Sequence, residues 1–247
     1  MALSKNEVIE IVAQNLRNPL SMLHLFGGYY NGLDKTGRII GPLVTYATEY
    51  EPGLRYVGWE YANWAKAEMH PYALKVIARR LLPEIPLGIN CFCGVPEGGR
   101  SLATILSLEG NKRHIYLEKK TTKLATETEK AESELVFGRH EPEPGELIGL
   151  TEDVGNHFGS TAKSIDKVEA KGAKVGAIVC LHNRSQEIDN VFNYKGVNIP
   201  VVSYLRHPMK DYRQDDPAVA EEIARGNFVS DPKKQWEPLM AMMKMAA

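Results

Sequence analysis

The sequence predicts an α/β fold built around a parallel sheet, because a strand–loop–helix pattern recurs along the chain. An apolar run at 87–93 is followed by a glycine-rich loop and a helical pattern at 100–108. A second run at 147–150 leads through two acids and a loop of small residues into a helical pattern that extends over 163–170. A third run occupies 174–181. Parallel strands end at one edge of their sheet, so the loops after these runs are expected to meet there.

Size and charge limit the classes of function. The chain has 247 residues, of which 43% are hydrophobic and 25% charged, which predicts a packed globule of one large domain or one domain with an appendage. Lys and Arg total 30 against 31 Asp and Glu. This balance gives no reason to expect nucleic acid as a partner, and any phosphate site has to be local.

Cysteine usage and hydropathy predict a cytoplasmic protein. Cys91, Cys93 and Cys180 all lie in apolar runs that are typical of buried strands, so they are expected to be reduced core thiols. The sequence has no apolar run near the roughly 18 residues needed to cross a membrane, and no basic-then-apolar signal pattern at its N-terminus.

The N-terminal third begins with a helix and continues with extended segments. Ser4 and Glu7 have capping-box spacing, which predicts a helix over 4–18 that ends at Pro19. Residues 25–50 are rich in glycine and aromatic residues and are predicted to form a β-arm or small hood.

The rest of the chain alternates helices, strands and one long polar segment. A helical pattern covers 59–82 and is expected to break at His70-Pro71. A helix is predicted over 216–225, where Pro217 suits the first turn. The predicted organisation is therefore an N-terminal helix and hood segment at 1–50, and a core at 51–247 with a mobile loop at about 119–145 and a C-terminal helical tail.

The segment after the second apolar run is suited to a phosphorylated sugar. Glu152 and Asp153 can accept hydrogen bonds from a vicinal diol or help to hold a metal. A loop of small and polar residues follows at 155–161, here called the phosphate loop, and a helix starts directly after it. The N-terminus of a helix offers unpaired N–H groups and a positive dipole end to a phosphate. Such turns also occur in α/β proteins without this function, so the motif alone leaves both interpretations open.

Three other segments are expected to join this site. The loop at 95–99, here called the glycine loop, follows the first run. The charged stretch that starts at Glu118 is longer than most loops inside a domain, so it is expected to be a functional lid or a disordered segment. Arg184 follows the third run, at the same predicted edge, although a structural surface arginine is the alternative.

These segments resemble those of type I phosphoribosyltransferases, most closely the orotate branch. The resemblance spans about residues 20–205 and rests on FGGYYNGLDKTGR, GVPEGG, EDVGNHFGST and the pair Asn183-Arg184. It implies a doubly wound parallel sheet flanked by helices, with a small N-terminal hood. It also implies that ribose 5-phosphate is transferred, with Mg²⁺, from phosphoribosyl pyrophosphate (PRPP) to orotate, which gives orotidine 5′-monophosphate and pyrophosphate. The resemblance further implies a homodimer and a role in pyrimidine nucleotide biosynthesis.

The resemblance also assigns roles to residues. Catalytic roles go to Lys119, Lys123 and Asp153. PRPP binding goes to Glu152, Asp153, Asn156, His157, Gly159, Ser160 and Thr161, and pyrophosphate binding to Val95, Pro96, Glu97, Gly98 and Gly99. The base is assigned to Lys35 and Arg184, and Mg²⁺ is expected to bind through PRPP without a dedicated protein ligand.

Departures from the family pattern leave two alternatives open. Glu118 stands where the family has arginine, Asn183 stands where it has aspartate, and the phosphate loop is one residue longer. One alternative is a phosphoribosyltransferase for another base. Arg184 argues against it, because a cation at this position is needed for an acidic base such as orotate and not for an uncharged base. The other is a non-catalytic relative that binds PRPP or a nucleotide as a signal, which the lysines after Glu118 argue against.

Overall fold

The computed structural model describes residues 3–123 and 132–246, and these residues form two compact units. The first unit contains the chain up to Pro19 and Glu68–His207, and the second contains Leu20–Ala67 and Pro208–Ala247. The predicted boundary at residue 50 does not coincide with this division, because the first helix belongs to the first unit and the C-terminal tail to the second.

The elements follow one another in this order along the chain: α1 (Lys5–Asn15), α2 (Pro19–Leu25), β1 (Tyr29–Asn31), β2 (Leu43–Glu51), β3 (Leu54–Gly58), β4 (Glu60–Ala62), α3 (Ala65–Glu68), α4 (Pro71–Leu81), β5 (Cys91–Gly94), α5 (Gly99–Gly110), β6 (Arg113–Lys123), β7 (Glu132–Phe137), β8 (Leu147–Gly155), α6 (Gly159–Glu169), β9 (Lys174–Asn183), β10 (Val191–Tyr194), β11 (Val197–Arg206), α7 (Ala220–Ala224), β12 (Phe228–Val229) and α8 (Trp236–Ala246). A short 3₁₀ helix, Leu82–Glu84, follows α4.

The first unit contains the predicted parallel sheet. Its strand order is β10-β11-β9-β8-β5-β6-β7, and the five inner strands run parallel while β10 and β7 pair antiparallel at the edges. Helix α6 contributes Ile165 and Val168 to a core cluster that also contains Cys91, Cys93 and Cys180. The three cysteines are buried free thiols, as predicted, and burial raises the pKa of Cys91 to about 12. This topology, with helices packed on the sheet, confirms the predicted fold class.

The first helix shows how local signals set an element's start. Ser4 caps α1, and the reciprocal bond of a capping box runs from the Ser4 backbone N–H to the Glu7 carboxylate at 2.7 Å. The helix ends at Asn15, three residues earlier than predicted.

The predicted helical pattern over 59–82 is only partly confirmed. Its first residues form β4, which pairs antiparallel with β1. Helix α3 follows, and α4 starts at Pro71, so the predicted break at His70-Pro71 is confirmed. A strand of three residues is too short to show an alternating pattern against the helical spacing of its neighbours.

The predicted loop at about 119–145 is a β-hairpin over much of its described length. Strand β6 continues to Lys123 and pairs antiparallel with β7, with Lys119 opposite Leu135. Leu135 and Phe137 pack against the core cluster of the first unit, which fixes the register of the hairpin. Residues 124–131 of the predicted loop lie outside the described residues.

The second unit is rich in strands, and the segment 25–50 predicted as a β-arm or hood contributes β1 and most of β2 to it. It contains the β1–β4 ribbon and a sheet of order β12-β2-β3. Trp236, Leu239 and Met240 of α8 lie in a core cluster with Tyr30 and Tyr46, so the first turns of this C-terminal helix are packed on the second unit's core. The predicted helix over 216–225 is shorter, because Asp216 accepts a bond from the Ala218 N–H at 2.9 Å in a turn that delays the start of α7. Among the described residues, no helix is long and apolar enough to cross a bilayer.

Candidate active site

The strand ends of the first unit bring three predicted segments together. In the parallel sheet Gly94 of β5 lies opposite Thr151 of β8, and Gly155 of β8 lies opposite Asn183 of β9. The Arg184 N–H donates to the Gly155 carbonyl at 2.9 Å. The glycine loop, the acids of β8 and Arg184 therefore share one edge of the sheet, as the sequence predicted.

The glycine loop lies directly against β8. The Val95 N–H donates to the Thr151 carbonyl at 3.0 Å, and the Thr151 hydroxyl donates to the Gly99 carbonyl at 2.7 Å. A Cβ at Gly98 would overlap the Asp153 carboxyl group, and a Cβ at Gly99 would overlap the Thr151 carbonyl. Two consecutive glycines are thus required here because the backbone and an acid approach too closely for any side chain.

The two acids at the end of β8 differ in environment. Glu152 is buried, with 7% of its surface exposed, whereas Asp153 is partly exposed. Burial, and after it the charge of Asp153, raise the pKa of Glu152 to about 8, although a hydrogen bond from Thr161 and the charge of Lys119 act in the opposite direction. Glu152 is therefore mostly protonated at neutral pH and can donate a hydrogen bond, while Asp153 offers a carboxylate.

The phosphate loop is anchored by an apolar ring. Phe158, just before α6, has a left-handed backbone with φ 54°. Its buried ring stacks on Phe192 with 5.5 Å between centroids, and a Cβ at Gly155 would overlap it. The loop thus contains a packed phenylalanine, which sequence reasoning did not single out because an aromatic residue in a glycine-rich loop has no periodic pattern.

The predicted ligands of the sugar phosphate lie at the start of α6. His157, Gly159 and Ser160 are exposed, and Asn156 is partly buried. Thr161 is buried, and its hydroxyl donates to the Glu152 carboxyl at 2.9 Å, so this proton is already used inside the protein. The N–H groups in the first turn of a helix have no intrahelical acceptor and remain suited to an anion.

The predicted lid lysines occupy different positions on β6. Lys119 lines a cavity of about 350 Å³ together with Pro96 of the glycine loop and Ser160 of the phosphate loop. Lys123 lies at the end of β6, and the cavity lining does not include it. The structure therefore brings Lys119 to the candidate site, while the catalytic role of Lys123 stays a prediction.

Hydrogen bonds of the Asn183 side chain stabilise the turn that follows β9. Its side-chain amide donates to the carbonyls of Ile188 and Asp189, at 2.9 and 2.6 Å, and its side-chain oxygen accepts from the Ser185 N–H at 3.1 Å. An ionised aspartate could not donate these two bonds, so the asparagine has a structural reason here. The turn holds Arg184, which is buried with 6% exposure, beside the end of β8.

Arg100 is a site residue that the sequence did not reveal. It lies in the first turn of α5 and donates to the Leu117 carbonyl from Nε at 3.2 Å and from a terminal nitrogen at 2.8 Å. Its guanidinium stacks over Tyr116 at 4.8 Å from the ring centroid and lies 3.3 Å from the Glu97 carboxylate. Arg100 therefore ties the glycine loop to β6, and a single arginine in a helical turn gives no sequence signal for this.

Lys35 belongs to the second unit. It is exposed at the tip of a turn in which the Asp34 carboxylate accepts the N–H groups of Thr36 and Arg38, at 2.8 and 3.0 Å. Its predicted contact with the base stays a prediction.

The described residues contain no group of three or more His, Cys, Asp and Glu side chains arranged to hold a metal ion. The carboxylate of Asp153, beside the glycine loop, is a hard oxygen donor of the kind that Mg²⁺ takes in combination with substrate phosphates. The residues at the sheet edge therefore fit a magnesium ion that arrives with a polyphosphate.

Comparison with known proteins shows sequence relatives of one kind, although no family model matches the chain. A curated protein named orotate phosphoribosyltransferase from Thermococcus kodakarensis is 27% identical over 145 residues, which cover 58% of this chain and 74% of the relative. Proteins of the same name from Nocardioides sp. and Methanococcus maripaludis are 29% and 30% identical, over 66% and 65% of their own lengths and 51% of this chain.

Solved structures give weaker likenesses. An orotate phosphoribosyltransferase from Aeropyrum pernix has a TM-score of 0.48 at 18% identity and covers 87% of this chain and 99% of its own. An adenine phosphoribosyltransferase from Leishmania tarentolae has a TM-score of 0.44 at 15% identity, over 60% of this chain and 76% of its own. At these scores the structural likeness adds nothing to the sequence similarity. The chain is thus a sequence relative of proteins named orotate phosphoribosyltransferase, which confirms the resemblance found in its motifs.

Proposed function

We propose that this protein transfers ribose 5-phosphate from PRPP to orotate, forming orotidine 5′-monophosphate and releasing pyrophosphate. The observation that carries the proposal is the contact of Asp153 with the glycine loop at the edge where the phosphate loop and Arg184 also lie. The similarity to proteins named orotate phosphoribosyltransferase supports the choice of reaction and of base.

The reaction needs charge stabilisation at two places. Breaking the bond between the sugar C1′ and pyrophosphate leaves an oxocarbenium-like sugar and a highly charged leaving group. We assign the ribose hydroxyls to Asp153, which accepts a hydrogen bond, and to Glu152, which donates one in its protonated form. Lys119 and the glycine loop receive the pyrophosphate, where preorganised donors lower the barrier. Mg²⁺, when bound, neutralises the phosphate oxygens.

The 5-phosphate is assigned to the exposed start of α6. Ser160 and the backbone N–H groups of the phosphate loop supply donors, and the helix dipole adds positive potential. Thr161 contributes its N–H group, because its hydroxyl is bonded to Glu152. Asn156 and His157 complete the proposed phosphate site.

The base is assigned to Arg184, with Lys35 as a second proposed contact. An arginine meets a carboxylate with two parallel hydrogen bonds, which suits the carboxylate of orotate. The proposal further includes a homodimer, a cytoplasmic location, a role in pyrimidine nucleotide synthesis, and the mobile loop predicted at about 119–145.

The proposal is tested by following orotate absorbance when purified protein, PRPP, Mg²⁺ and orotate are mixed. Loss of orotate that requires both PRPP and Mg²⁺ supports it. If orotate is not consumed while PRPP still protects the protein against thermal unfolding, the sugar-phosphate site stands and orotate is rejected. If PRPP gives neither turnover nor protection, the assignment of the acids and the phosphate loop is wrong.

Arg184→Gln tests the base assignment. We expect the KM for orotate to rise roughly 10- to 100-fold with little change in the KM for PRPP, because a charge-assisted bond contributes about 1.5–3 kcal/mol. Steady-state kinetics with each substrate varied in turn measures the split. Thermal protection by PRPP shows that the variant is folded, since Arg184 is buried. An unchanged KM for orotate in a folded variant would remove Arg184 from the base site and favour a base without a carboxylate.

A further inference from the structure

The end of strand β11 lies beside the turn that carries Arg184. Asn183 is the last residue of β9 and Arg206 is the last residue of β11, and the two lie opposite each other in the parallel pairing of these strands. The backbone pairing ends with the His207 N–H, which donates to the Asn183 carbonyl at 3.2 Å. Arg184 directly follows Asn183, so the turn at 183–190, here called the arginine turn, leaves the sheet next to Arg206.

The Arg206 guanidinium bonds to both ends of the arginine turn. Its Nη1 donates to the Asn183 carbonyl at 3.2 Å, where the turn begins. Its Nε donates to the Asp189 carboxylate at 2.7 Å, one residue before the turn ends. Because the guanidinium is planar and its N–H groups have a fixed geometry, the two bonds together restrain the distance between the two ends.

Bonds within the arginine turn fix its shape. The Ser185 hydroxyl accepts the N–H groups of Glu187 and Ile188 at 3.3 and 3.1 Å, and the Asn183 side chain bonds to the same segment, as described above. These bonds begin and end inside the turn, so they do not set how it lies against β11. The Arg206 side chain, which starts from β11, supplements the backbone bonds from this strand and its end to residues 183 and 190 in setting this position.

The ion pair of Arg206 with Asp189 is expected to act locally. The Asp189 side chain is 72% exposed and that of Arg206 28%, and an ion pair open to solvent contributes little to the free energy of unfolding. Arg184, in contrast, is buried, and its N–H donates to the Gly155 carbonyl at the end of β8. A displacement of the turn therefore shifts a guanidinium that has to meet a carboxylate with two parallel bonds, and such contacts depend strongly on alignment.

We propose that Arg206 is a positioning residue for the base site: by holding both ends of the arginine turn, it aligns the Arg184 guanidinium with the carboxylate of the base. The inference rests on the proposed function, which assigns the base to Arg184, and extends it by a residue outside the segments that carry the sequence resemblance. Arg206 acts through Arg184 and makes no contact with the base itself.

Steady-state kinetics of Arg206→Gln tests the proposal. We expect the KM for orotate to rise roughly 3- to 10-fold while the KM for PRPP stays within about twofold, because only the base contact loses its alignment. In an Arg184→Gln background the same substitution should change the KM for orotate by less than about twofold, since no guanidinium is left to align. A residue that only stabilised the fold would lower the melting temperature without this coupling between the two positions.

Two further variants accompany Arg206→Gln. Asp189→Asn removes the ion pair and leaves β11 intact, so it should raise the KM for orotate even if Arg206→Gln does not fold. Lys195→Gln is the matched control, because Lys195 lies in the turn between β10 and β11 and forms an ion pair with Asp166 at 2.5 Å. It should leave both KM values within about twofold of the wild type.

Hydrogen exchange of the whole protein without substrates separates this inference from the proposed reaction. The Arg184 N–H should exchange roughly fivefold faster or more in Arg206→Gln and at the wild-type rate in Lys195→Gln, because a loosened turn opens more often. If the protein does not consume orotate, faster exchange keeps the positioning of Arg184 and rejects the reaction, while unchanged exchange rejects both. If it does consume orotate, an unchanged KM for orotate in Arg206→Gln, or an equal rise with and without Arg184, overturns the positioning role and keeps the reaction.

Discussion

Gly99→Ala is expected to lower the free energy of unfolding by roughly 3 kcal/mol or more. The new Cβ would overlap the carbonyl of Thr151, and that carbonyl is fixed because it accepts the Val95 N–H at 3.0 Å within the sheet edge. Neither side of the contact is a flexible side chain, so relief requires the glycine loop to separate from β8. Thermal unfolding should show a melting temperature lower by about 6 °C or more.

Gly159→Ala is the matched control for this prediction. A Cβ at Gly159 meets nothing within 4 Å, and Gly159 is the first residue of α6. The free energy of unfolding of the Gly159→Ala protein should differ from that of the wild type by less than about 1 kcal/mol, because alanine is a better helix former than glycine. A Gly99→Ala protein as stable as Gly159→Ala would contradict the close approach of the glycine loop to β8.

Glu152→Gln is expected to remove a large pH dependence of stability. The pKa of Glu152 is raised from 4.5 to about 8 in the folded protein, first by burial and then by Asp153. Between these values the folded state keeps a proton that the unfolded state has lost, so stability falls as pH rises. The slope for one such group is about 1.4 kcal/mol per pH unit. The glutamine has the same shape, remains neutral and can still accept the Thr161 bond.

Urea unfolding at intervals from pH 5 to pH 8 measures this effect. The difference in stability between the variant and the wild type should grow with pH across this window, in favour of the variant. Asp153→Asn removes the second cause of the raised Glu152 pKa, so it should weaken the pH dependence without abolishing it, because Glu152 stays buried. A constant difference between Glu152→Gln and the wild type across this pH range would show that Glu152 ionises normally in the folded protein.

The part of the fold that sequence predicted is the part with local signals. The Ser4–Glu7 capping box marks the start of α1, and the apolar runs that become β5, β8 and β9 are each followed by small or polar residues. These signals predict where the strands end. Because the strands pair in parallel, the loops that follow them then lie at one edge of the sheet. The acids of β8 and Arg184 were found for this reason.

The remaining features depend on contacts between distant residues. The β6–β7 hairpin has charged and threonine residues that give no clear period, and its register comes from Leu135 and Phe137 packing on the core. The Trp236 indole N–H donates to the Gly27 carbonyl across 209 residues, which no local pattern of the tail could indicate. The bond from Thr161 to Glu152 likewise exists only once α6 is folded back beside β8.

In the proposed reaction Asp153, held against the glycine loop, binds the ribose of PRPP during transfer to orotate. The most direct measurement compares kcat/KM for PRPP in the wild type and in Asp153→Asn, with orotate saturating and Mg²⁺ present. We expect a fall of roughly 100-fold or more, while circular dichroism shows the same folded protein. Wild-type turnover that Asp153→Asn retains within a few-fold would contradict the claim and place the chemistry elsewhere on the molecule.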